Sequence, residues 1–207
     1  MPKKVIENCT VSDAYLSILA DRGVKYLFAN SGTDFAPLIE ALAKAQALGT
    51  PHPTPITCPH ENIAQHMAIG YYLMTGRPQL TMVHVNVGTA NGMNGLLNAS
   101  RGQIPMIFSA GRTPINEDTI KGHRTLDIHW TQEMYDQAGM VREAVKWDYE
   151  LRNPEQLETV IDRILSVIMS DPKGPAYLSL PREVLSREIK RFEYQSPSRV
   201  QPAHRPN

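Results

Sequence analysis

Cysteine is scarce: the 207 residues hold two, Cys9 and Cys58, too few for a disulfide framework. Charge of one sign is not in excess either. Lysine plus arginine and aspartate plus glutamate both total 21, so the formal net charge is zero. That balance points away from nucleic acid and from an anionic membrane surface as partners. No apolar run approaches the ~18 residues needed to span a bilayer, and the opening MPKKVIENCT lacks the apolar centre of a secretory signal. A cytoplasmic location is therefore the expectation, and zero net charge leaves little self-repulsion to oppose an oligomer.

Several familiar site motifs are missing as well. GxxxxGK[ST] does not occur, which excludes a P-loop, and no GxGxxG follows a strand pattern. HENIAQH has only a superficial likeness to the zinc-protease HExxH. Ala64 stands where the second histidine belongs, and His66 comes six residues after His60, so zinc is rejected.

What is present is alternation. Apolar content of 42% and charged content of 20% are those of an ordinary soluble globular chain. Residues 11–22 carry apolar side chains at Ala14, Tyr15, Ile18 and Leu19, with Ser12 or Asp13 as cap and Gly23 as stop. A strand follows at 24–29, a helix at 35–48 and a short strand around Ile56. CPHENIAQHMAIGYYLMTG (58–76) makes a third helix, and QLTMVHV (79–85) a third strand. Residues 91–100 read as helix, 104–111 as buried strand, 112–130 as polar loop and 140–147 as strand. Residues 154–169, capped by Asn153, form an amphipathic helix, and 175–181 close the pattern as a strand. The expected fold is α/β: an open, mostly parallel six-stranded sheet with helices on both faces. Residues 1–185 read as one domain. Residues 186–207 are rich in Pro, Arg and Ser without apolar periodicity, and read as a linker or disordered tail.

Open α/β sheets bind ligands beyond the carboxyl ends of their strands. Three segments fall there: ANSGTD (29–34), CPHEN (58–62) and HVNVGTANG (84–92). Each also has a plain structural reading. With Cys58 as cap and Pro59 as first helical residue, Glu61 takes the third helical position, where an acid favours the helix dipole by ~0.3–1 kcal/mol. His84 reads equally well as a hydrogen-bonded buried histidine, and Gly88, Gly92 and Gly95 as tight packing. Ser31-Gly32-Thr33, or Asp34, reads as a cap and turn before the next helix.

PHENIAQHMAIGYYLMTGRP resembles the HE–A–A–A–GYA–G–P segment of thiamine-diphosphate enzymes, the acetolactate synthase and benzoylformate decarboxylase family. It is similar to their N-terminal pyrimidine-binding (PYR) domain. The similarity continues through VNVGTANGMNGLLNASRGQIPMIFSAGR, VKWDYEL and KGPAYLSLPREV, from about residue 10 to 185. HVNVGTAN looks like the H-x-x-x-G-T-x-N of the benzoylformate-decarboxylase branch, and ANSGTD resembles its G-N-P-G-S-N. The resemblance implies that Glu61 activates the cofactor, that His84 is an active-site acid/base, and that the Thr33 hydroxyl meets the substrate carboxylate. It also implies cofactor contacts from Ser31, Gly32 and Asn91. Ser31 replaces a family proline, Thr33 a serine, and Arg112 follows SAG where many relatives carry glutamine.

Thiamine diphosphate works as a carbanion on its thiazolium ring. A carboxyl bonded to the aminopyrimidine nitrogen favours the tautomer that takes the thiazolium proton. An apolar pocket strengthens such a bond, and Ile63, Ala64, Met67 and Ala68 are the expected wall around Glu61.

The resemblance also implies a second half. The family's GDG…N motif, which anchors the diphosphate through Mg²⁺ or a similar divalent cation, belongs to a pyrophosphate-binding (PP) domain. GDG occurs nowhere in these residues. The implied partner is a PP domain, in the same longer polypeptide by preference or in a separate subunit, with no metal site in this chain and no turnover by it alone. A homodimer or homotetramer and a small 2-oxo-acid substrate complete the expectation. Two alternatives to a benzoylformate-decarboxylase-like enzyme stay open: an acetolactate-synthase-like carboligase and a non-catalytic PYR partner domain. Retention of Glu61, His84 and Thr33 weighs against the last.

Overall fold

The computed structural model describes residues 2–198 and 200–203. The chain begins with β1 (Lys3–Thr10), α1 (Val11–Asp21), β2 (Tyr26–Asn30), α2 (Ala36–Leu48) and β3 (Thr54–Thr57). It continues with α3 (Glu61–Thr75), β4 (Leu80–Val83), α4 (Val85–Asn91), α5 (Met93–Arg101) and β5 (Ile107–Arg112). After α6 (Ile128–Thr131) come β6 (Asp148–Glu150), α7 (Leu157–Met169), β7 (Ala176–Pro181), α8 (Arg182–Leu185) and β8 (Glu188–Gln195).

Six strands form one all-parallel sheet in the order β3-β2-β4-β5-β7-β6. Strand side chains alternate between its faces. Leu27, Ala29, Leu80, Met82 and Leu178 pack with α1, α2 and α7 on one side. Phe28, Val83, Phe108, Ala110 and Tyr177 pack with α3 and α5 on the other. Both faces are thus covered, as the run of buried residues in each central strand requires. The expected open parallel sheet is the observed one.

Helix starts depend on caps, and here the structure corrects the sequence. Thr10, not Ser12 or Asp13, caps α1; its hydroxyl accepts from the Asp13 amide at 3.2 Å while Asp13 accepts from the Thr10 amide at 2.8 Å. That reciprocal box satisfies two free donors at once. His60 caps α3 through Nδ1, which accepts from the Asn62 amide at 3.1 Å. Glu61 is therefore the first helical residue rather than the third.

The helix expected at 91–100 is α5, and a further helix not expected, α4, begins directly after β4 and takes up Val85, the last residue of the expected strand. Residues 140–147 are not strand: short 3₁₀ turns occupy Ala138–Met140 and Arg142–Ala144, and the sixth strand is β6. Val141 and Ala144 are both buried three apart, a turn spacing rather than the period of two that a strand needs.

The linker or tail expected from residue 186 is instead strand over Glu188–Gln195, paired antiparallel with β1. Residues 199 and 204–207 of that stretch lie outside the described residues. Phe192 and Tyr194 reach the core, and the Tyr194 hydroxyl lies 2.9 Å from Ser17 Oγ with the Arg22 guanidinium 5.6 Å from its ring centre. Tyr194→Ala is expected to cost about 3–5 kcal/mol of unfolding free energy, read from the urea midpoint. A disordered tail would show no change.

The chain runs from β2 to β3 on one side and then crosses back over β2 to β4 on the other. Strand order reverses there, so the carboxyl ends of β2 and β4 open a crevice.

Candidate active site

The crevice is bridged by a carboxylate and an imidazole. Asn30 and Val83 are register partners at the ends of β2 and β4, so the residues that follow them emerge side by side. Asp34, buried in the turn after β2, reaches across: its Oδ1 lies 2.6 Å from His84 Nδ1, and its Oδ2 accepts from the Val85 amide at 3.2 Å. Val85 sits at φ +35°, a conformation that costs a β-branched residue about 1–3 kcal/mol. The Asp34 bond holds that strained peptide in place.

Two glycines make the approach feasible. A Cβ on Gly32 would lie 2.2 Å from His84 Nδ1, and one on Gly111 would lie 1.9 Å from Asp34 Oδ2. Any side chain at either position would push the pair apart.

With Nδ1–H donated to Asp34, the lone pair of His84 is on Nε2, which faces Gln132 Nε2 at 3.2 Å. Neighbouring Asp34 raises the histidine's proton affinity above the ordinary range, against the opposing effect of burial, and Glu61 adds a smaller push.

Glu61 enters from the adjacent strand. Its carboxyl is buried at the front of α3, and Oε2 accepts from Asn91 Nδ2, on the last residue of α4, at 2.7 Å. Oε1 takes no hydrogen bond among the described residues. The loop that carries Glu61 is tied to β2 by a bond from Asn30 Nδ2 to the Cys58 carbonyl at 2.9 Å.

The face of α3 behind Glu61 is Ala64, Gln65, Ala68 and Ile69, all buried. Ile63 and Met67, expected in that wall, are 45% and 40% exposed. The helical period of 3.6 places residues 64, 65 and 68 on the inward face with 61, and turns 63 and 67 outward.

Of the residues singled out in the sequence, Glu61 and Asn91 are joined directly, and Gly32 lies against His84. Thr33 and Ser31 are exposed at the mouth, and neither hydroxyl is hydrogen-bonded among the described residues. Thr33–Phe35 forms a 3₁₀ turn before α2, as the turn reading expects, but none of the residues 31–34 caps the helix through its side chain, so the capping role does not hold for Asp34. Sequence reasoning missed Asp34 as the partner of His84 and missed Gln132 altogether. The one available signal was an acid directly after a strand-end SGT.

The residues fit an aminopyrimidine ring: a buried carboxyl with one oxygen engaged by Asn91 leaves the other oxygen to meet a ring group.

The model for "Thiamine pyrophosphate enzyme, N-terminal TPP binding domain" matches residues 9–140. Benzoylformate decarboxylase of Pseudomonas aeruginosa is 25% identical over 174 residues, 83% of this chain and 30% of that relative. The acetolactate synthase large subunit of Buchnera aphidicola is 26% identical over 182 residues, 88% of this chain and 29% of that relative. Acetolactate synthase of Arthrospira platensis is 24% identical over 187 residues, 90% of this chain and 30% of that relative. The chain thus spans about a third of the length of the relatives it matches.

Proposed function

Because the chain belongs to the thiamine pyrophosphate enzymes, matched in their N-terminal TPP binding domain, we propose that it is the pyrimidine-binding part of a 2-oxo-acid decarboxylase or carboligase. The observation that carries this reading is the Glu61 carboxyl, buried at the head of α3, anchored by Asn91 and left with one free oxygen beside the His84–Asp34 pair.

Thiamine diphosphate, when bound, supplies a stabilised carbanion for making and breaking carbon–carbon bonds. Glu61 would relay a proton through Oε1 to and from the pyrimidine nitrogen, and Asn91 keeps its carboxyl oriented by occupying Oε2. His84 moves a proton at Nε2, with Nδ1 committed to Asp34, so one tautomer is presented throughout. Thr33 offers its free hydroxyl at the mouth, where a substrate carboxylate enters. Ser31 and Gly32 line the cofactor side, Gly32 because its missing side chain leaves room for the imidazole.

The diphosphate and its Mg²⁺ belong to a pyrophosphate-binding domain outside these residues, in a longer polypeptide or a separate subunit, and turnover needs both parts. The outer face of α3, with Met67, Leu73 and Met74 exposed, supports assembly as at least a homodimer.

The test joins this chain to its pyrophosphate-binding part, adds thiamine diphosphate and Mg²⁺, and offers benzoylformate and pyruvate. Carbon dioxide released from either, dependent on the cofactor, is the expected result. Acetolactate formed from pyruvate identifies the carboligase branch, which the acetolactate synthases among the relatives favour. A complex that binds no cofactor and turns over no 2-oxo acid would remove the reading.

A further inference from the structure

Beside the His84–Asp34 pair, a second group of side chains has no assigned task. A narrow cleft of about 10 Å³ beyond the end of β5 is lined by Thr33, Asp34, Arg112, His129, Gln132 and Arg182. That volume holds about one water-sized oxygen.

His129 is 3% exposed, and its Nδ1 accepts from the Thr125 and Leu126 amides at 3.1 and 3.4 Å. A ring nitrogen that accepts carries no proton, so the neutral imidazole carries it on Nε2. That Nε2–H is buried and has no partner among the described residues. Burial, reinforced by Arg182, Arg124 and His84, lowers the affinity of the ring for a second proton. His129 is thus a fixed neutral donor.

Arg112 shows the same incompleteness. Its Nη2 donates to the Met134 carbonyl at 2.7 Å and its Nε to Glu150 at 3.3 Å, while Nη1 is buried with no acceptor among the described residues. Arg182 donates to the carbonyls of Gly122 and His123 and adds a second guanidinium to the lining. The one carboxylate among the described residues that line the cleft, Asp34, has both oxygens engaged already, by His84 and by the Val85 amide.

Two buried donors without acceptors among the described residues, carried by two residues that line one cleft together with a second guanidinium, call for an oxygen that only accepts. Leaving buried donors unpaired is costly, and a lone oxygen atom is what the space admits. We propose that this cleft is an oxyanion subsite in which His129 Nε2–H and Arg112 Nη1–H grip one oxygen of the substrate's acidic group, with Thr33 at its mouth. The inference rests on the 2-oxo-acid reading above and adds to it the two residues that select for the acid. It also gives Arg112 a role at the position where many relatives carry glutamine.

The test uses the 207-residue chain without cofactor, labelled with ¹⁵N-histidine. Formate, chloride, pyruvate and the uncharged methyl pyruvate are titrated in turn while the His129 ring resonances are followed. Formate and pyruvate are expected to move the Nε2 resonance saturably, and methyl pyruvate to leave it in place. Arg112→Gln, with an unchanged circular dichroism spectrum, is expected to weaken formate binding about tenfold or more.

A His129 resonance that ignores both carboxylates would mean that water fills the cleft and would overturn the proposal. Unchanged formate affinity in Arg112→Gln would overturn it too. Chloride binding in place of pyruvate would assign the cleft to an inorganic ion and refute the substrate role. No turnover is measured, so a negative result here is separable from failure of the thiamine-diphosphate assignment, which the cofactor assay decides.

Discussion

Glu61→Gln, made in the complete enzyme, is expected to lower turnover about 10²- to 10⁴-fold, the usual contribution of a positioned acid or base. Glutamine matches glutamate in size, and its amide oxygen still accepts the 2.7 Å bond from Asn91. What is lost is the carboxyl oxygen, Oε1, to which the proposed proton transfer is assigned. The charge removed sits at the first residue of α3, where its effect on the helix dipole is only ~0.3–1 kcal/mol. The urea midpoint should therefore move little while turnover collapses at saturating cofactor. If Glu61 were only a helix-front charge, the pattern would reverse: a small stability loss with near wild-type turnover. That outcome would end the catalytic assignment.

Asp34→Asn is expected to slow the reaction about 10- to 100-fold, the equivalent of losing one hydrogen bond to a charged group at ~1.5–3 kcal/mol. The amide keeps the shape that fills the space beside Gly111 and still accepts one bond. It lacks the charge that raises the proton affinity of His84. The limb of the pH–rate profile that belongs to His84 should consequently move to lower pH. The direction is the same whether His84 works as acid or base. As an acid it loses its proton at a lower pH, so activity fails earlier on the alkaline side; as a base it becomes competent at a lower pH. Glu61 still faces the ring from α3, and His129 is held neutral, so the shift reports on Asp34. A rate loss with an unmoved profile would mean that Asp34 only supports the strained Val85 peptide.

These two carboxylates differ in how visible they were. Glu61 stands within a long motif, and local spacing sufficed to single it out. Asp34 was hidden because an acid after a strand-end glycine usually caps or turns. Its task depends on a residue 50 positions away that the β2–β4 pairing brings alongside. The β1–β8 pair was hidden for a related reason: β1 is mostly exposed and carries no periodic stripe, so only its partner at the other end of the chain defines it. The period-two burial of Phe192 and Tyr194 was the one local trace.

The sequence by itself determined the α/β class, the mostly parallel six-stranded sheet and the family motif, and it nominated Glu61 and His84 for the site. Each depends on patterns within about twenty residues: helical and strand periods, turn residues and a contiguous motif. Only the tertiary structure decided that β8 belongs to the core, that Ile63 and Met67 face outward, and that Asp34 holds His84. It alone brought Arg112 and His129 to one cleft. The reason is physical: a hydrogen bond depends on separation in space to within tenths of an ångström, and chain folding sets that distance between residues whose sequence neighbours say nothing about it.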